Sequence, residues 1–281
     1  MEKISIGYSP CPNDTFAFHA LSHQLAESGG LEFSEPRLED VETLNRLALD
    51  GVLDVSKVSY GALPFILDRY VLLKTGGAMG RGCGPLIVAR DPRAAADLKN
   101  CRVAIPGRMT TANLLFRLFG PEARTGIELP YDQIMPAVVS GEVDAGLIIH
   151  ESRFTFHEHG LVRILDLGDW WERATGSPIP LGAVVAKREL GRTIPAIEDA
   201  IRSSVRFAMD HPAASADHVR EHAREMSGDV TRQHIELYVN RYTVDLGTDG
   251  QTAIRDLMER ARSAGLLPLT ALDPFSGDAR L

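Results

Sequence analysis

The feature that most constrains the fold is the alternation of short apolar strand patterns with helical patterns. Ile4–Tyr8 has the composition of a strand. Phe18, Leu21 and Leu25 then recur at helical spacing, and a glycine pair at 29–30 ends that pattern. Strands that alternate with helices in this way predict an α/β protein in which each sheet is mostly parallel and flanked by helices.

A sequence pattern that occurs twice, here called the internal echo, predicts two similar lobes. A helical pattern followed by Gly51, Asp54 and a strand recurs as a helical pattern followed by Gly141, Asp144 and a strand. The alternative is a chance repeat of a common turn between a helix and a strand.

Two apolar segments that each end in a basic residue, 84–90 and 181–187, enclose the middle of the chain. We expect them to be hinge strands through which the chain crosses to a second lobe and returns. The prediction is a larger, discontinuous lobe of residues 1–86 and 188–281, a smaller lobe of residues 87–187, and a cleft between the two.

Composition places the chain among globular proteins and excludes several functional classes. Of its 281 residues, 44% are hydrophobic and 24% are charged, and a chain of this length forms about two domains with buried cores. The net charge of −8 argues against a nucleic-acid partner or an anionic membrane surface. No apolar run approaches the ~20 residues of a membrane helix, and the first residues lack the pattern of a secretory leader. We therefore expect no membrane insertion and a cytoplasmic location.

The three cysteines predict neither a disulfide framework nor a CxxC metal pair, because Cys11, Cys83 and Cys101 are odd in number and far apart. Cys11 precedes a predicted helix, where a thiol pKa can be lowered to give a nucleophile. No histidine pairs with Cys11 at a recognisable spacing, which favours a packed side chain in a proline-flanked loop.

One segment matches a metal motif. His218, Glu221 and His222 fit the H-x-x-E-H pattern of some zinc enzymes. The surrounding residues have the pattern of a solvated helix face, and no third ligand is evident in the sequence. We therefore expect no metal site, and no residue pattern indicates an organic cofactor.

Polar residues follow four of the predicted strands at the points where the strands end. In open parallel sheets, ligands bind outside the carboxyl ends of the strands, so a cleft between two lobes would gather these side chains. The candidates, in chain order, are Ser9, Asn13, Asp14, Ser59, Thr110, Thr111, His150 and Arg153.

Two of these sites allow both a functional and a purely structural interpretation. Thr110-Thr111-Ala112 opens a predicted helix, where free N–H groups and hydroxyls suit a carboxylate or a diol, although threonine also serves as a plain N-cap. His150 ends an apolar strand, and because an unperturbed imidazole has a pKa of about 6.5, it suits a general base near neutral pH. A hydrogen-bonded structural histidine is the alternative.

Several longer stretches resemble one enzyme family, the 1,4-dihydroxy-6-naphthoate synthases of the MqnD type. The resemblance extends over nearly the whole chain and is most specific in residues 1–185. The stretches that carry it are Ser9–Phe16, Leu38–Asn45, Lys57–Tyr60, Gly76–Gly82, Pro106–Ala112 and Gly146–Phe154.

The resemblance implies a fold, a reaction and a set of residues. The fold would be that of the two-lobed periplasmic binding proteins of type II, with the site in the cleft. The enzyme would be a lyase that needs no cofactor and cleaves a carbon–carbon bond. It would convert the small molecule cyclic dehypoxanthine futalosine to 1,4-dihydroxy-6-naphthoate on the futalosine route to menaquinone, with loss of a sugar-derived fragment. The substrate contacts would be Lys57, Val58, Ser59, Thr111 and Ala112, and His150 would be the proton acceptor.

Two other functions remain open from the sequence. The first is chorismate dehydratase, an enzyme of the same pathway and fold. The second is a solute-binding protein without catalysis, since fold does not fix function. The absence of a secretory pattern argues against the second function. The sequence leaves the oligomeric state open.

Overall fold

The structure, a computed structural model, describes residues 3–92, 95–120, 126–223, 227–268 and 273–275. The strands are β1 (Ile6–Tyr8), β2 (Arg37–Leu38), β3 (Val55–Ser59), β4 (Tyr70–Leu72), β5 (Ala78–Gly80), β6 (Leu86–Ala89), β7 (Val103–Ile105), β8 (Ile127–Glu128), β9 (Ala145–Ile148), β10 (Val162–Asp166) and β11 (Ile179–Lys187). The helices are α1 (Pro12–Ser22), α2 (Val41–Leu49), α3 (Thr111–Phe119), α4 (Tyr131–Ser140), α5 (Ser152–Thr155), α6 (Leu167–Thr175), α7 (Ile194–Asp210), α8 (Ala216–His222), α9 (Gly228–Tyr238), α10 (Arg241–Val244) and α11 (Gly247–Ser263).

The strands form two sheets, which confirms the predicted α/β class. The first sheet has the order β2-β1-β3-β11-β4, with β5 also paired to β11, and the second has the order β10-β6-β9-β7-β8. The expectation of mostly parallel sheets is wrong. In the first sheet β11 runs antiparallel to β3, β4 and β5, and in the second sheet β6 runs antiparallel to β9 and β10.

The antiparallel strands occur where the chain passes from one sheet to the other. It leaves the first sheet after β5, enters the second at β6, and returns through β11. Neighbouring parallel strands are joined by a βαβ crossover within one sheet. A strand that arrives from another sheet has no such connection to its neighbour, so it can run antiparallel to it. The predicted boundaries assign β11 to the smaller lobe, whereas its hydrogen bonds join it to the first sheet.

The internal echo corresponds to two similar units, here named the first unit (residues 5–61) and the second unit (residues 102–150). Their strand orders match, β2-β1-β3 against β8-β7-β9, and the strands within each unit are parallel. Asp54 and Asp144, the echoed aspartates, make equivalent hydrogen bonds. Asp54 accepts from Ser5 N at 2.9 Å, and Asp144 accepts from Arg102 N at 2.8 Å. Each ties the start of one strand to its parallel neighbour.

The first helix is shorter than its apolar pattern predicts. It ends at Ser22, and Leu25, which the pattern placed on the buried face, is 49% exposed. Gln24 adopts a left-handed φ of +56°, and Leu25 N donates to Ala20 O at 2.8 Å. This hydrogen bond satisfies one of the last carbonyl groups of the helix, and the left-handed residue turns the chain away from the helix axis.

The largest hydrophobic cluster joins the two sheets. It includes Val58 and Tyr60 at the end of the first unit, Ile87 and Leu147 in the second sheet, and the fully buried Trp171. Among the described residues, no helix is long and apolar enough to span a membrane.

A candidate active site between the two sheets

A cavity lies where the ends of β1, β3, β7 and β9 face one another. These are the four strand ends that the sequence singled out. The lining residues are Ser9, Asn13, Asp14, Val41, Lys57, Ser59, Ala78, Cys83, Pro85, Thr110, Thr111, Ala112, Ile149, His150, Leu181, Gly182, His234 and Tyr238.

A buried ion pair forms the wall contributed by the first unit. Lys57 Nζ lies 2.6 Å from Asp14 Oδ1, and both side chains are almost inaccessible to solvent. Lys57 also donates to Gly76 O at 2.8 Å, and Asp14 accepts from Ser9 Oγ at 2.7 Å. A buried charge pair of this kind is tolerated only when further hydrogen bonds satisfy the remaining atoms, as they do here.

His234 is a lining residue that the sequence analysis missed. It lies on α9, far along the chain from the strand ends, and is fully buried. Its Nε2 is 2.8 Å from Asn13 Oδ1, while Asn13 Nδ2 donates to Asp14 Oδ1 at 2.8 Å. The carboxylate of Asp14 only accepts hydrogen bonds, so the amide nitrogen of Asn13 faces Asp14 and its amide oxygen faces His234. That oxygen also only accepts, so Nε2 of His234 carries the proton.

The other ring nitrogen of His234 is therefore unprotonated. Nδ1 is buried and has no hydrogen-bond partner among the described residues. Burial, followed by the nearby His150, lowers the pKa of His234 well below its ordinary value. Nδ1 thus carries a lone pair that no described residue uses as a hydrogen-bond acceptor.

His150 follows β9 in a strained conformation. Its φ of +57° lies in the left-handed region, which is uncommon for residues other than glycine and costs of order 1–3 kcal/mol. Its ring makes an edge contact with Tyr131 at 5.2 Å and stacks towards His234 at 6.5 Å between centroids. Burial lowers the pKa of His150, which favours the neutral ring that a general base requires.

The hydroxyl groups of the helix start on α3 are already bound. Thr110 Oγ1 caps the helix by accepting from Asn113 N, and Thr111 Oγ1 donates to Leu181 O at 2.7 Å and accepts from Gly61 N at 3.2 Å. The first N–H groups of a helix have no partner within it. A ligand at this point would therefore meet the backbone of Thr111 and Ala112 rather than their side chains.

Ser59 is held by the second helix of the first unit. Its N–H donates to Asn45 Oδ1 at 2.8 Å, and its Oγ accepts from Asn45 Nδ2 at 3.2 Å. The hydroxyl proton of Ser59 is left for a ligand, since Asn45 Nδ2 uses only an acceptor position.

Two predicted contact residues direct their side chains elsewhere. Val58 lies between Lys57 and Ser59 on β3, so its side chain points to the opposite face and packs in the large core. Arg153 donates to Gly84 O at 2.5 Å and forms an ion pair with Asp166 at 2.8 Å, and it is not among the lining residues.

The cysteines near the cavity are protonated. Burial raises the pKa of Cys83 to about 12 and that of Cys11 well above its ordinary value. Neither thiol is therefore a nucleophile at neutral pH. Among the described residues, the groups close enough to bind a metal ion lie at the C-terminal end of α1 and on α8, outside this cavity.

Comparisons with known proteins agree on one family. The profile of the menaquinone biosynthesis family matches residues 4–263. A 1,4-dihydroxy-6-naphthoate synthase of Thermus thermophilus is 51% identical over 95% of this chain and 96% of its own length. The enzyme of the same name from Streptomyces coelicolor is 49% identical over 98% of both chains.

Solved structures give the same fold. A crystal structure of an Archaeoglobus fulgidus protein superposes with a TM-score of 0.89 at 35% identity, covering 94% of this chain and 98% of that one. The periplasmic aliphatic sulphonate binding protein of Escherichia coli superposes with a TM-score of 0.67 at 16% identity, covering 96% of this chain and 89% of its own, and shows the fold alone. The expected periplasmic-binding-protein-like fold is confirmed, and the chain belongs to the menaquinone biosynthesis family, whose full-length relatives above are enzymes.

Proposed function

We propose that this protein is a 1,4-dihydroxy-6-naphthoate synthase that acts on cyclic dehypoxanthine futalosine in the cavity between its sheets. The observation that carries the proposal is the meeting of four strand ends at one cavity, with a strained, neutral histidine on one of them. The sequence identity of 51% and 49% to two enzymes of that name, over nearly the full length, supports the proposed reaction.

His150 is the proposed base. Its neutral ring removes a proton from the substrate, and the electron pair left behind forms a new double bond as the carbon–carbon bond to the sugar-derived fragment breaks. The new double bond lies in the departing fragment, and the electrons of the broken bond pass into the remaining ring system, which takes up the proton held by His150 and becomes the aromatic product. A positioned general base contributes about 10²–10⁴-fold to such a rate.

The other lining residues orient the substrate. The backbone N–H groups at the start of α3 suit a carboxylate or a phenolic oxygen that gains negative charge. His234 Nδ1 accepts from a substrate hydroxyl, and Ser59 donates to another. The pair of Lys57 and Asp14 holds Asn13, and through it His234, in place.

Contacts across the cavity support a closed working state of the two proposed lobes. Thr111 on α3 bonds to Gly61 N and Leu181 O, and Met109 N donates to Glu42 at 3.3 Å. Gly61 permits this approach, since a Cβ there would lie 2.7 Å from Met109 O. Closure excludes water from the reactive intermediate.

The test is incubation of purified protein with cyclic dehypoxanthine futalosine, with no added metal or cofactor, and detection of 1,4-dihydroxy-6-naphthoate by mass. We expect product from wild type and from His159→Ala, an exposed control, and its loss in His150→Ala. Ligand-induced thermal stabilisation of wild type without product would contradict the proposed reaction and indicate a binding protein. Dehydration of chorismate by the same preparation would indicate the sister enzyme.

A further inference from the structure

Four histidines gather where the end of α1 meets α8, away from the cavity. The ring centroids of His19 and His23 are 4.4 Å apart, those of His23 and His218 are 4.8 Å apart, and those of His218 and His222 are 4.4 Å apart. None of the four lines the candidate active site. The two histidines on α8 belong to the H-x-x-E-H segment, and the last turn and C-cap of α1 supply the further ligands, His19 and His23.

Two of these rings are held as metal ligands usually are. His23 Nδ1 is 3.0 Å from His19 O, and His222 Nδ1 is 2.9 Å from His218 O. A carbonyl oxygen only accepts, so each Nδ1 carries the proton and each Nε2 presents a lone pair. Metal-binding histidines typically donate their other ring N–H to a backbone carbonyl or a carboxylate in this way.

The other two rings carry nitrogens that the protein leaves unsatisfied. His19 Nδ1 and His218 Nε2 are buried and have no hydrogen-bond partner among the described residues. An unsatisfied buried polar atom costs about 1–3 kcal/mol. Both orphaned nitrogens occur in the same cluster, which indicates a missing ligand common to them.

We propose that His19, His23 and His218 bind a divalent transition-metal ion of the zinc type. Their donor atoms all lie within 4.8 Å of one another, so small side-chain rotations bring three nitrogens to the 2.0–2.1 Å bond length of zinc. The set contains no oxygen donor, which excludes Mg²⁺ and Ca²⁺ as the preferred ion and suits Zn²⁺, Ni²⁺ or Cu²⁺. His23 is exposed and gives the ion a path from solvent.

A competing set shares one member of the cluster. His218, Glu221 and His222 also lie within reach of a common ion. The structure assigns the ion to the first set because His19, which carries one of the orphaned nitrogens, belongs to that set alone. An ion there fastens α8 to the end of α1, the helix whose other end carries Asn13 and Asp14.

The test measures zinc binding by untagged protein that a chelator has freed of metal. By calorimetry and equilibrium dialysis with ZnCl₂ we expect one ion per chain, no binding of Mg²⁺, and visible absorption of a tetrahedral type when Co²⁺ replaces Zn²⁺. Loss of an outer partner of a metal ligand costs 10–100-fold in affinity, so His23→Ala should weaken binding by at least about tenfold. His159→Ala, exposed and outside the cluster, should bind as wild type does.

Three results would overturn the proposal. The first is that wild type binds no stoichiometric zinc, and the second is that His23→Ala binds zinc as tightly as wild type. The third is that Glu221→Gln and His222→Ala lose zinc binding while His19→Asn and His23→Ala keep it in full. His23 is exposed, so its variant should fold, and thermal unfolding without metal checks this. Zinc should raise the Tm of wild type and not that of His23→Ala, because an ion bound only by the folded state stabilises it.

Discussion

The first and second units share one scaffold and carry opposite kinds of chemistry. Both have a parallel three-strand arrangement and an aspartate that ties neighbouring strand starts. After β1 and at the end of β3, the first unit places a buried ion pair, Asp14 with Lys57. After β7 and β9, the second unit places an uncharged helix start and the strained His150.

The difference shows how a repeated scaffold divides a site into a rigid half and a reactive half. The buried pair in the first unit is bonded on all sides and positions Asn13 and His234. The second unit supplies groups with free capacity, namely the N–H groups of α3 and the ring of His150. Substitutions in the first unit should therefore reduce stability most, and those in the second should reduce turnover most.

The largest stability effect is expected for Lys57→Met. It leaves the Asp14 carboxylate buried without its cation, and removal of one partner of a buried pair costs about 3–5 kcal/mol. Urea unfolding measures the loss. The double variant Asp14→Asn/Lys57→Met should regain part of it, because no uncompensated charge remains.

The matched control lies in the second unit. Arg102→Met breaks the exposed pair with Asp144 and should cost less than about 1 kcal/mol. Equal losses from the two substitutions would refute the division into a rigid and a reactive half.

A smaller loss is expected for Thr111→Val. The substitution keeps the side-chain shape but deprives Gly61 N and Leu181 O of their partner, at about 1–3 kcal/mol in unfolding free energy. Thr111→Ser retains the hydroxyl and serves as the control. If valine and serine behaved alike in urea unfolding, the hydroxyl would not connect the two units.

The smallest effect concerns the echoed aspartates, and for Asp54 it depends on pH. Burial raises the pKa of Asp54, but hydrogen bonds from Ser5 and Lys187 outweigh it, and the pKa is lowered overall. A lowered carboxyl pKa adds stability above the ordinary value of about 3.9, and this stability is lost as the pH falls through the folded-state pKa. Asp54→Asn should cost about 1 kcal/mol at pH 7 and progressively less below about pH 4.

Asp144→Asn should cost less than Asp54→Asn at pH 7, because the side chain of Asp144 is more exposed. Unfolding curves of both variants from pH 7 to pH 3 check the order and the trend. A cost for Asp54→Asn that grew towards acid pH would show that the sign is wrong.

Local patterns predicted the scaffold and the strand-end residues. Ser9, Ser59, Thr111 and His150, which follow predicted strands, all line the cavity. Such residues lie next to the strands that place them, so a one-dimensional pattern carries the information. The antiparallel strands escaped prediction because their direction depends on how the chain returns from the other sheet.

The residues that the sequence could not assign act across long separations. His234 reaches the site from α9, and its role depends on a hydrogen bond to Asn13 that no spacing reveals. The histidines of α1 and α8 are equally distant in the chain and meet only in the folded protein. Arg153 follows a strand end as the lining residues do, but the carboxylate of Asp166 draws its side chain away.

The most direct test of the central claim is the pH dependence of kcat/KM for wild type and His150→Ala with cyclic dehypoxanthine futalosine. A neutral His150 whose pKa is lowered by burial predicts a wild-type rate that is constant from about pH 8 past 6.5 and falls only at lower pH. His150→Ala should be about 10²–10⁴-fold slower and lack that acid limb. Near wild-type turnover by His150→Ala, or an unchanged acid limb, would contradict the assignment of His150 as the base.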